Sequence, residues 1–279
     1  MNESKDTIRK ATVDHIFYPG KQEVLLQAVK DYLNHAVNPE GKAHGILSPH
    51  AGYPYTGDIM GAAYKAAAKG NFSRIVIMSR VHREPEKALF LPESTEFQTP
   101  LGTAAVDSEA LDILLSSHPL FKKDEIPHTE EHAIEVQLPF IQYLWPQAKI
   151  VPILSGIPSL SLMRTLSASL QQLIEQKQEE TLYVVSSNLS AYDHQEDAKK
   201  DTEYFLNLLD QGKWENFPDL LRERKINACS ADCLTALYIL FKGKLQHSLL
   251  AKECDFEDND ELSKKPFEKR VCFGSLVFR

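Results

Sequence analysis

Residues 45–78 read GILSPHAGYPYTGDIMGAAYKAAAKGNFSRIVIM and determine the fold class of this chain. A short apolar run at 45–47 is followed by a helical pattern over 58–69, which Gly70 closes, and then by a second apolar run at 74–78. Two short apolar strands joined by a helix are typical of a βαβ unit, in which the strands are parallel. The stretch therefore predicts an α/β protein.

The same alternation continues along the rest of the chain. A helix with one apolar face is predicted over 21–35, and Asp107 is placed to cap another helix. The further predicted elements are strands at 88–91, 149–154, 182–186, 248–252 and 271–278 and helices at 108–116, 160–176, 197–209, 214–224 and 231–241. A turn-rich connection is predicted at 99–102 and a charged loop at 257–265. We expect a single domain over 1–279, flexible at 1–10, with a mixed, largely parallel central sheet and helices on both faces.

The amino-acid composition limits the kinds of molecule that the protein is expected to bind and the compartment in which it is expected to work. The net charge is −8, and acidic and basic residues are interspersed, so no basic stripe is available for nucleic acid. No run of about eighteen uncharged apolar residues exists to span a membrane, and the N-terminus is polar. The four cysteines are too few to staple a chain of 279 residues and are interpreted as free thiols, which favours a cytoplasmic protein.

The chemistry is expected where loops leave the carboxyl ends of parallel strands. Two such loops carry a histidine, His50 and His82, and Cys229 lies just before a predicted helix, where a helix N-terminus favours the thiolate. Two imidazoles and one thiolate make a plausible set of metal ligands. The alternative is that the histidines are hydrogen-bonded scaffolding and that Cys229 is a packed core thiol. The spacing alone leaves both interpretations open.

A second cluster reads HTEEHAIE at residues 128–135. It matches the H-x-x-E-H pattern of inverted zinc peptidases, in which His128 and His132 would bind zinc. The alternative is that His132 and Glu135, one helical turn apart, project into the pocket as proton-handling groups. Pro127 indicates that a helix is only starting there.

Other side chains in these loops are candidates for the pocket lining. They are Tyr53, Asn188 and Tyr192, which follow predicted strand ends. Tyrosines at such positions are also often packing groups with one polar end. The remaining cysteines, Cys233, Cys254 and Cys272, are interpreted as packed thiols.

Several motifs together resemble the signatures of the Memo family, which includes protein B of the AmmeMemoRadiSam system. The resemblance is carried by PHAGYPYTG at 49–57, TPLG at 99–102 and EHAIEVQLPF at 131–140, with FYPG at 17–20, VPI at 151–153 and SSNLS at 186–190. It runs from about residue 10 to the C-terminus. Memo proteins are linked to motility signalling in animals, and their bacterial and archaeal relatives are grouped with a radical-SAM partner.

The resemblance implies a fold similar to that of class III extradiol dioxygenases, which are non-haem iron enzymes. By this analogy His50, His82 and Cys229 occupy the positions of a metal site. The implied metal is iron, with copper or zinc as alternatives or no bound metal at all, and the implied role is redox chemistry. A family resemblance does not by itself supply a reaction.

The sequence also departs from the family pattern. Where Memo proteins usually have Ser-Ser-Asp-Leu-Ser-His, this chain has Asn188 and Ala191 in place of the aspartate and the histidine, and His194 lies three residues further on. Residues 79–81 also replace the usual Gly-Pro-Ser/Asn type of loop. Asn188 carries no charge and Ala191 has no polar side chain, so a proton-transfer role is lost at both positions. These departures argue against dioxygenase turnover.

Three hypotheses therefore remain, and the sequence does not decide whether the chain is an enzyme. The first is a Memo-like protein with a non-haem iron or copper pocket. The second is a non-enzymatic module that binds a small molecule or peptide in the same cleft. The third is a zinc peptidase that uses His128 and His132. Substrate and oligomeric state are not determined by the sequence.

Overall fold

A nine-stranded mixed sheet forms the centre of the computed structural model, which describes residues 7–37, 39–82, 86–254 and 269–279. Within these residues the strands are β1 (Ile8–Arg9), β2 (Gly45–Ser48), β3 (Arg74–Arg80), β4 (Leu89–Leu91), β5 (Glu96–Thr99), β6 (Gly102–Ala105), β7 (Phe121–Lys123), β8 (Lys149–Ser155), β9 (Thr181–Ser186), β10 (Ser190–Tyr192), β11 (His247–Glu253) and β12 (Arg270–Phe278). The helices are α1 (Gln22–His35), α2 (Tyr53–Ala67), α3 (Ser108–Ser117), α4 (Glu125–Glu130), α5 (Leu138–Leu144), α6 (Leu160–Gln176), α7 (Gln195–Asp210), α8 (Phe217–Arg222) and α9 (Ala231–Leu240), with 3₁₀ turns at Glu135–Gln137 and Trp214–Asn216. The predicted loop at 257–265 lies outside the described residues.

The strand order of this sheet is β10-β12-β2-β9-β3-β8-β4-β7, and β11 pairs with β12. The four central strands β2, β9, β3 and β8 are parallel to one another, whereas β12 and β4 pair with them antiparallel. The prediction of a mixed sheet with a parallel centre is confirmed. Because β2, β9 and β3 are neighbours, the loops that follow them emerge side by side.

Helices cover both faces of the sheet, as predicted. All four residues of β2 are buried, and so are six of the seven residues of β3. Successive residues of a strand point to opposite faces, so an unbroken buried run requires cover on both sides. Helix α2 packs against β2 and β12, whereas α9 packs against β3 and β9 and also against α6.

Local chemistry explains where the predicted helices begin and end. The predictions for α3 and α6 are confirmed, and the Asp107 side chain accepts a hydrogen bond from the main chain of Ala110 as a helix cap. Helix α2 begins five residues before the predicted start at 58. Pro54 lies in its first turn, where a proline does not cost a hydrogen bond and its fixed φ suits a helix.

A second, three-stranded sheet has the order β1-β5-β6, and the antiparallel pair β5–β6 forms a hairpin around the predicted turn at 99–102. Strand β1 pairs parallel to β5 through Ile8 and Arg9. These two residues lie in the stretch 1–10 that was predicted to be flexible. For residues 1–6, outside the described part, flexibility stays a prediction.

Two of the four cysteines form a disulfide, and the prediction that all were free thiols is wrong for this pair. Cys254 follows the end of β11 and lies opposite Cys272 of β12, with a Cα–Cα distance of 4.4 Å. The sequence separation of 18 residues conceals this proximity, which the antiparallel pairing of β11 and β12 creates. Cys229 and Cys233 are free. A cytoplasmic location, which rested partly on four free thiols, stays a prediction.

Among the helices of the described residues, none combines the length and the apolar character that a membrane crossing requires.

Candidate metal centre

Three side chains from distant parts of the chain meet beyond the carboxyl ends of β2, β9 and β3. His50 lies two residues after β2, His82 lies two residues after β3, and Cys229 immediately precedes Ser230, the N-terminal cap residue of α9. The neighbouring positions of the strands bring the two histidine loops together. The packing of α9 on β3 and β9 then places Cys229 beside them.

The ligand atoms of these three residues lie within 4.8 Å of one another. Cys229 Sγ is 3.3 Å from His50 Nε2, and the rings of His50 and His82 are 5.6 Å apart and nearly perpendicular. His50 is buried, whereas 42% of the His82 side chain is exposed. The cluster is therefore closed towards the core and open on the His82 side.

Hydrogen bonds determine which nitrogen of His50 is available. Ser186 Oγ donates to the main-chain oxygen of Ala133 at 2.7 Å and accepts from Gln137 Nε2 at 2.9 Å. A hydroxyl has one proton, so Ser186 Oγ accepts from His50 Nδ1, which lies 3.1 Å away. His50 Nδ1 therefore carries a proton, and Nε2 faces Cys229 as the nitrogen that could bind a metal.

A buried carboxylate orients the second histidine in the same way. Glu131 Oε2 lies 2.8 Å from His82 Nδ1, which leaves the other ring nitrogen for a metal. Hydrogen bonds to Cys229 and Glu131 outweigh burial and raise the pKa of His82 to about 10. Burial alone would raise the pKa of Glu131, but the contact with His82 lowers it to about 2. The pair is therefore ionic near neutral pH when no metal is bound.

Cys229 lies in surroundings that favour the thiolate. Burial alone would raise the pKa of its thiol, but the neighbouring imidazoles of His50 and His82 hold the pKa well below its usual range. The main-chain N–H of Asn188 donates to Sγ at 3.1 Å. Asn188 Oδ1 also accepts from the main chain of His50 at 3.1 Å, so this predicted lining residue supports two members of the cluster.

His132 lies beside the cluster on the wall of a cleft. Its ring stacks on His82 with centroids 6.1 Å apart and lies 5.5 Å from the ring of His50. Burial and the neighbouring His50 lower its pKa to about 4, so the imidazole is neutral near pH 7. The ring of Phe17 also packs against His132, with centroids 4.6 Å apart. The cleft has a volume of about 540 Å³ and is lined by Val81, His82, Glu130, Glu131 and His132.

Glu135, predicted to act together with His132, points away from the cluster. Helix α4 ends at Glu130 and the 3₁₀ turn begins at Glu135, so His132 and Glu135 are not one turn apart on a continuous helix. Both carboxylate oxygens of Glu135 are occupied by Arg9, Tyr18 and main-chain N–H groups of the N-terminal segment. The carboxylate is fully buried and absent from the cleft lining, so this geometry does not support the predicted catalytic role.

The two tyrosines predicted to line the pocket lie elsewhere. Tyr53 begins α2 and is buried in the core, where its hydroxyl donates to the main chain of Val136 at 2.8 Å. Tyr192 ends the edge strand β10, opposite Arg270 of β12. Tyr53 is a packing group because its ring lies among Tyr18, Tyr32 and Phe140.

His128 does not form a metal pair with His132. Its ring is fully buried, its Nε2 lies 3.1 Å from the main-chain oxygen of Phe90, and the ring packs edge-on against Phe97. Burial lowers the pKa of His128 to about 3, so the side chain is neutral. Within the described residues, the group of side chains that could hold a metal ion is His50, His82 and Cys229. The described residues therefore give the zinc-peptidase hypothesis no support.

Three residues that orient the histidines were not predicted, namely Glu131, Ser186 and Gln137. Glu131 and Gln137 lie inside the motif at 131–140, and Ser186 is the last residue of β9. A metal-binding histidine usually donates its second ring N–H to a carboxylate or another acceptor, so a search for acceptors near His50 and His82 could have included them. Their contacts span 49 to 136 residues of sequence, so spacing alone does not reveal them.

The Glu131–His82 contact leads to a quantitative expectation. We expect Glu131→Gln to weaken metal binding by about 10- to 100-fold, because the amide orients the His82 ring less firmly than the carboxylate. Equilibrium titration with Co(II) in the presence of a competing chelator measures the change. Glu130→Gln alters the neighbouring exposed carboxylate on the same cleft wall and serves as the control, for which little change is expected. Equal affinities of the Glu131 variant and the wild type would contradict this role.

The fold and the cluster together define an α/β protein with a two-histidine, one-cysteine centre at the carboxyl edge of its parallel strands. A family model described as "Memo-like protein" matches residues 9–264. The chain belongs to the Memo family, and its fold is the mixed α/β arrangement that the resemblance implied.

Curated relatives agree with this assignment. A MEMO1 family protein of Methanobrevibacter smithii is 29% identical over 286 aligned residues, which cover 98% of this chain and 100% of that protein. One from Nitrosopumilus maritimus is 28% identical over 253 residues, covering 88% of this chain and 91% of the relative. One from Pyrobaculum aerophilum is 31% identical over 204 residues, covering 70% and 73%. Their names state the family and no reaction.

Proposed function

We propose that this protein binds one transition metal ion through His50, His82 and Cys229. The ion proposed first is redox-active iron, and the alternatives are copper, which is also redox-active, and zinc, which is not. The observation that carries the proposal is the convergence of one thiol and two imidazoles within 4.8 Å at the rim of a cleft. Each histidine is already oriented through its Nδ1, by Ser186 or by Glu131. Such preorientation supports a metal site because it fixes the nitrogen that binds.

The donor set fits this class of metal. Imidazole and thiolate ligands suit iron, copper and zinc, whereas magnesium and calcium prefer carboxylate and carbonyl oxygens. Three protein ligands would leave at least one coordination position of such an ion for water or a small ligand. A redox-active ion held there would supply one-electron exchange and a Lewis-acidic position.

The chain's own residues provide the surroundings for a small ligand. The cleft of about 540 Å³ is within the size range of small-molecule sites. His132 presents a neutral imidazole on its wall, which can accept a hydrogen bond from a hydroxyl or amine of the ligand. Glu131 holds His82 in place while that ligand enters from the exposed side.

The residues around the cluster argue against ring-cleaving dioxygenation. Asn188 uses its side chain to support the main chain of His50 and is uncharged. Ala191 lies on β10 opposite Val271 and offers no polar group. His194 does not replace the missing imidazole, because it is exposed at the start of α7. A second proton-transfer group is therefore lacking at these positions.

The metal content and redox behaviour of the protein test the proposal. The protein is purified without chelators or nickel affinity, its metals are measured by mass spectrometry, and the loaded protein is cycled anaerobically under electron paramagnetic resonance. We expect about one metal ion per chain, reversible oxidation and no ring-cleaved product from catechol. Stoichiometric metal without redox cycling would instead favour a non-enzymatic module that binds a ligand in the same cleft. Absence of bound metal after reconstitution would overturn the proposal.

His132 offers a separate test of the cleft. We expect His132→Ala to retain the metal content of the wild type but to weaken binding of nitrocatechol to the iron-loaded protein, because the variant lacks the hydrogen-bond acceptor on the cleft wall. Absorbance titration measures this binding. The control is His194→Ala, which removes an exposed histidine at the start of α7 and should change neither quantity. Loss of metal from His132→Ala would contradict the proposed ligand set.

A further inference from the structure

Arg9, in the short strand β1, has a buried guanidinium group with several hydrogen-bond partners. Only 3% of its side chain is exposed. Its Nη1 donates to Glu135 Oε2 at 2.6 Å, its Nε donates to the main-chain oxygen of His128 at 2.5 Å, and its Nη2 donates to that of Glu131 at 3.2 Å. The guanidinium carbon also lies 5.2 Å from the centre of the Phe97 ring. The planar fork of arginine allows one side chain to bind these acceptors together.

These acceptors lie on both sides of an irregular segment. Residues 131–134 connect the end of α4 at Glu130 to the 3₁₀ turn that begins at Glu135, and they are not helical. A non-helical segment lacks the regular ladder of main-chain hydrogen bonds that would otherwise hold it. Arg9 binds its first carbonyl at Glu131 and the carboxylate that follows it at Glu135.

The irregular segment determines where the Glu131 carboxylate lies. Oε1 of Glu131 accepts from the main-chain N–H groups of His132 at 3.0 Å and Ala133 at 3.3 Å. Oε2 of the same carboxylate binds His82 Nδ1. A shift of the segment would therefore move the carboxylate away from His82, although neither Arg9 nor Glu135 contacts a metal ligand directly.

The N-terminal segment reinforces this arrangement. The main-chain N–H groups of Thr12 and Val13 donate to Glu135, and Tyr18 donates its hydroxyl to the same carboxylate at 2.6 Å. Phe17 belongs to the same segment, and its ring packs on His132. Its main-chain oxygen accepts a hydrogen bond at 2.7 Å from the main-chain N–H of Tyr53, the first residue of α2. Residues 9–18 thus lie along the segment that carries Glu131 and His132.

We infer that Arg9 is a positioning residue for the metal centre, because it clamps residues 131–135 and so holds Glu131 against His82. The inference rests on the proposed metal-binding function. It assigns to the N-terminal segment a role in metal affinity in addition to its role in packing.

Arg9→Lys is the main test. A lysine keeps a positive charge near Glu135, but a single ammonium on a flexible stem lacks the fork that reaches both carbonyls. We expect the affinity for Co(II) to fall by about 10-fold or more, in the range typical of groups that orient a metal ligand. The Co(II) ligand-field spectrum should also change, because the His82 ring is less well held. Arg74→Lys is the matched control. Arg74 forms a similarly buried ion pair with Asp107 at 2.7 Å. It is the first residue of β3, whereas His82 follows the last residue of that strand. This variant should therefore leave the Co(II) affinity and the spectrum unchanged.

A double-mutant cycle with Glu131→Gln separates positioning from general destabilisation. If Arg9 acts through Glu131, Arg9→Lys should cause little further loss of Co(II) affinity in the Glu131→Gln background. An unchanged affinity of the Arg9→Lys single variant would overturn the inference, and so would an equal loss in both backgrounds. If Arg9→Lys does not fold, Glu135→Asp is the replacement test, because the shorter side chain moves the carboxylate away from Arg9 by the length of one methylene. This variant should also bind Co(II) more weakly than the wild type. Wild-type affinity in the Glu135→Asp variant would overturn the inference.

The wild type distinguishes the two levels of the proposal. Failure of the wild-type protein to bind Co(II), or any other transition metal, would overturn the proposed function and this inference with it. Wild-type binding together with unaltered binding by the Arg9 variant would overturn the inference alone and leave the proposed function intact.

Discussion

Replacement of Cys229 by alanine is expected to abolish stoichiometric metal binding. Cys229 supplies the thiolate of the cluster, and its Sγ lies 3.3 Å from His50 Nε2. Groups that merely orient a ligand are commonly worth about 10- to 100-fold in affinity, so loss of a direct ligand should exceed that range. His50→Ala should have the same effect, since it removes a buried nitrogen donor of the cluster. Metal analysis after gel filtration measures the loss.

Cys233→Ala is the matched control for this experiment. Cys233 lies four residues further on, inside α9, and burial raises the pKa of its thiol well above the usual range, so it remains protonated. This variant should retain the metal content of the wild type. If the Cys229 and Cys233 variants retained metal equally, the ligand set would be wrong; if only His128→Ala removed the metal, the peptidase-type pair would gain support.

The second large effect is a loss of folding stability on replacement of Glu135. Glu135→Gln should reduce the free energy of unfolding by about 3–5 kcal/mol, because it leaves the buried guanidinium of Arg9 without a counter-charge. The Glu135 carboxylate is fully buried and also accepts the hydroxyl of Tyr18 and main-chain N–H groups. Urea denaturation at neutral pH measures the difference. Glu109→Gln is the control, since this exposed glutamate pairs with Lys177 at the surface and its loss should leave the unfolding midpoint almost unchanged.

The pH dependence of this difference has a definite sign. Burial alone would raise the pKa of Glu135, but Arg9 and the hydrogen bond from Tyr18 lower it below its ordinary value of 4.5. A carboxyl whose pKa is lowered by folding stabilises the protein fully above its unfolded pKa, and this contribution is lost as the pH falls through the folded pKa. The difference between wild type and Glu135→Gln should therefore be constant above about pH 5 and shrink below it. A difference that does not change with pH would contradict the ion pair as its cause.

The strand and helix predictions succeeded where the pattern was local. The helix over 160–176 has an apolar face and a serine cap, Ser159, and its bounds were predicted to the residue. The hairpin β5–β6 was recognised only as a turn at 99–102, because its strands are four residues each and partly exposed. A helix was predicted to start at Pro127, whereas α4 runs from Glu125 to Glu130 and ends before His132.

For the candidate site as well, predictions from local position succeeded and the prediction that assumed a regular helix did not. His50, His82 and Cys229 were predicted from their places after strand ends and before a helix, and the structure brings them together. His132 and Glu135 were assigned to one face on the assumption of a continuous helix. The chain breaks at residues 131–134, so the two side chains diverge, towards the cleft and towards Arg9.

The sequence by itself determined the α/β class, the family and the three candidate ligands, since these depend on local periodicity, on motifs and on position relative to strand ends. Only the tertiary structure decided that Glu131 orients His82, that Ser186 orients His50, that Glu135 is paired with Arg9, and that Cys254 is joined to Cys272. These contacts depend on strand order, on register and on the path of irregular segments. Such features arise from the packing of the whole chain, so spacing along the sequence does not encode them in a form that can be recognised locally.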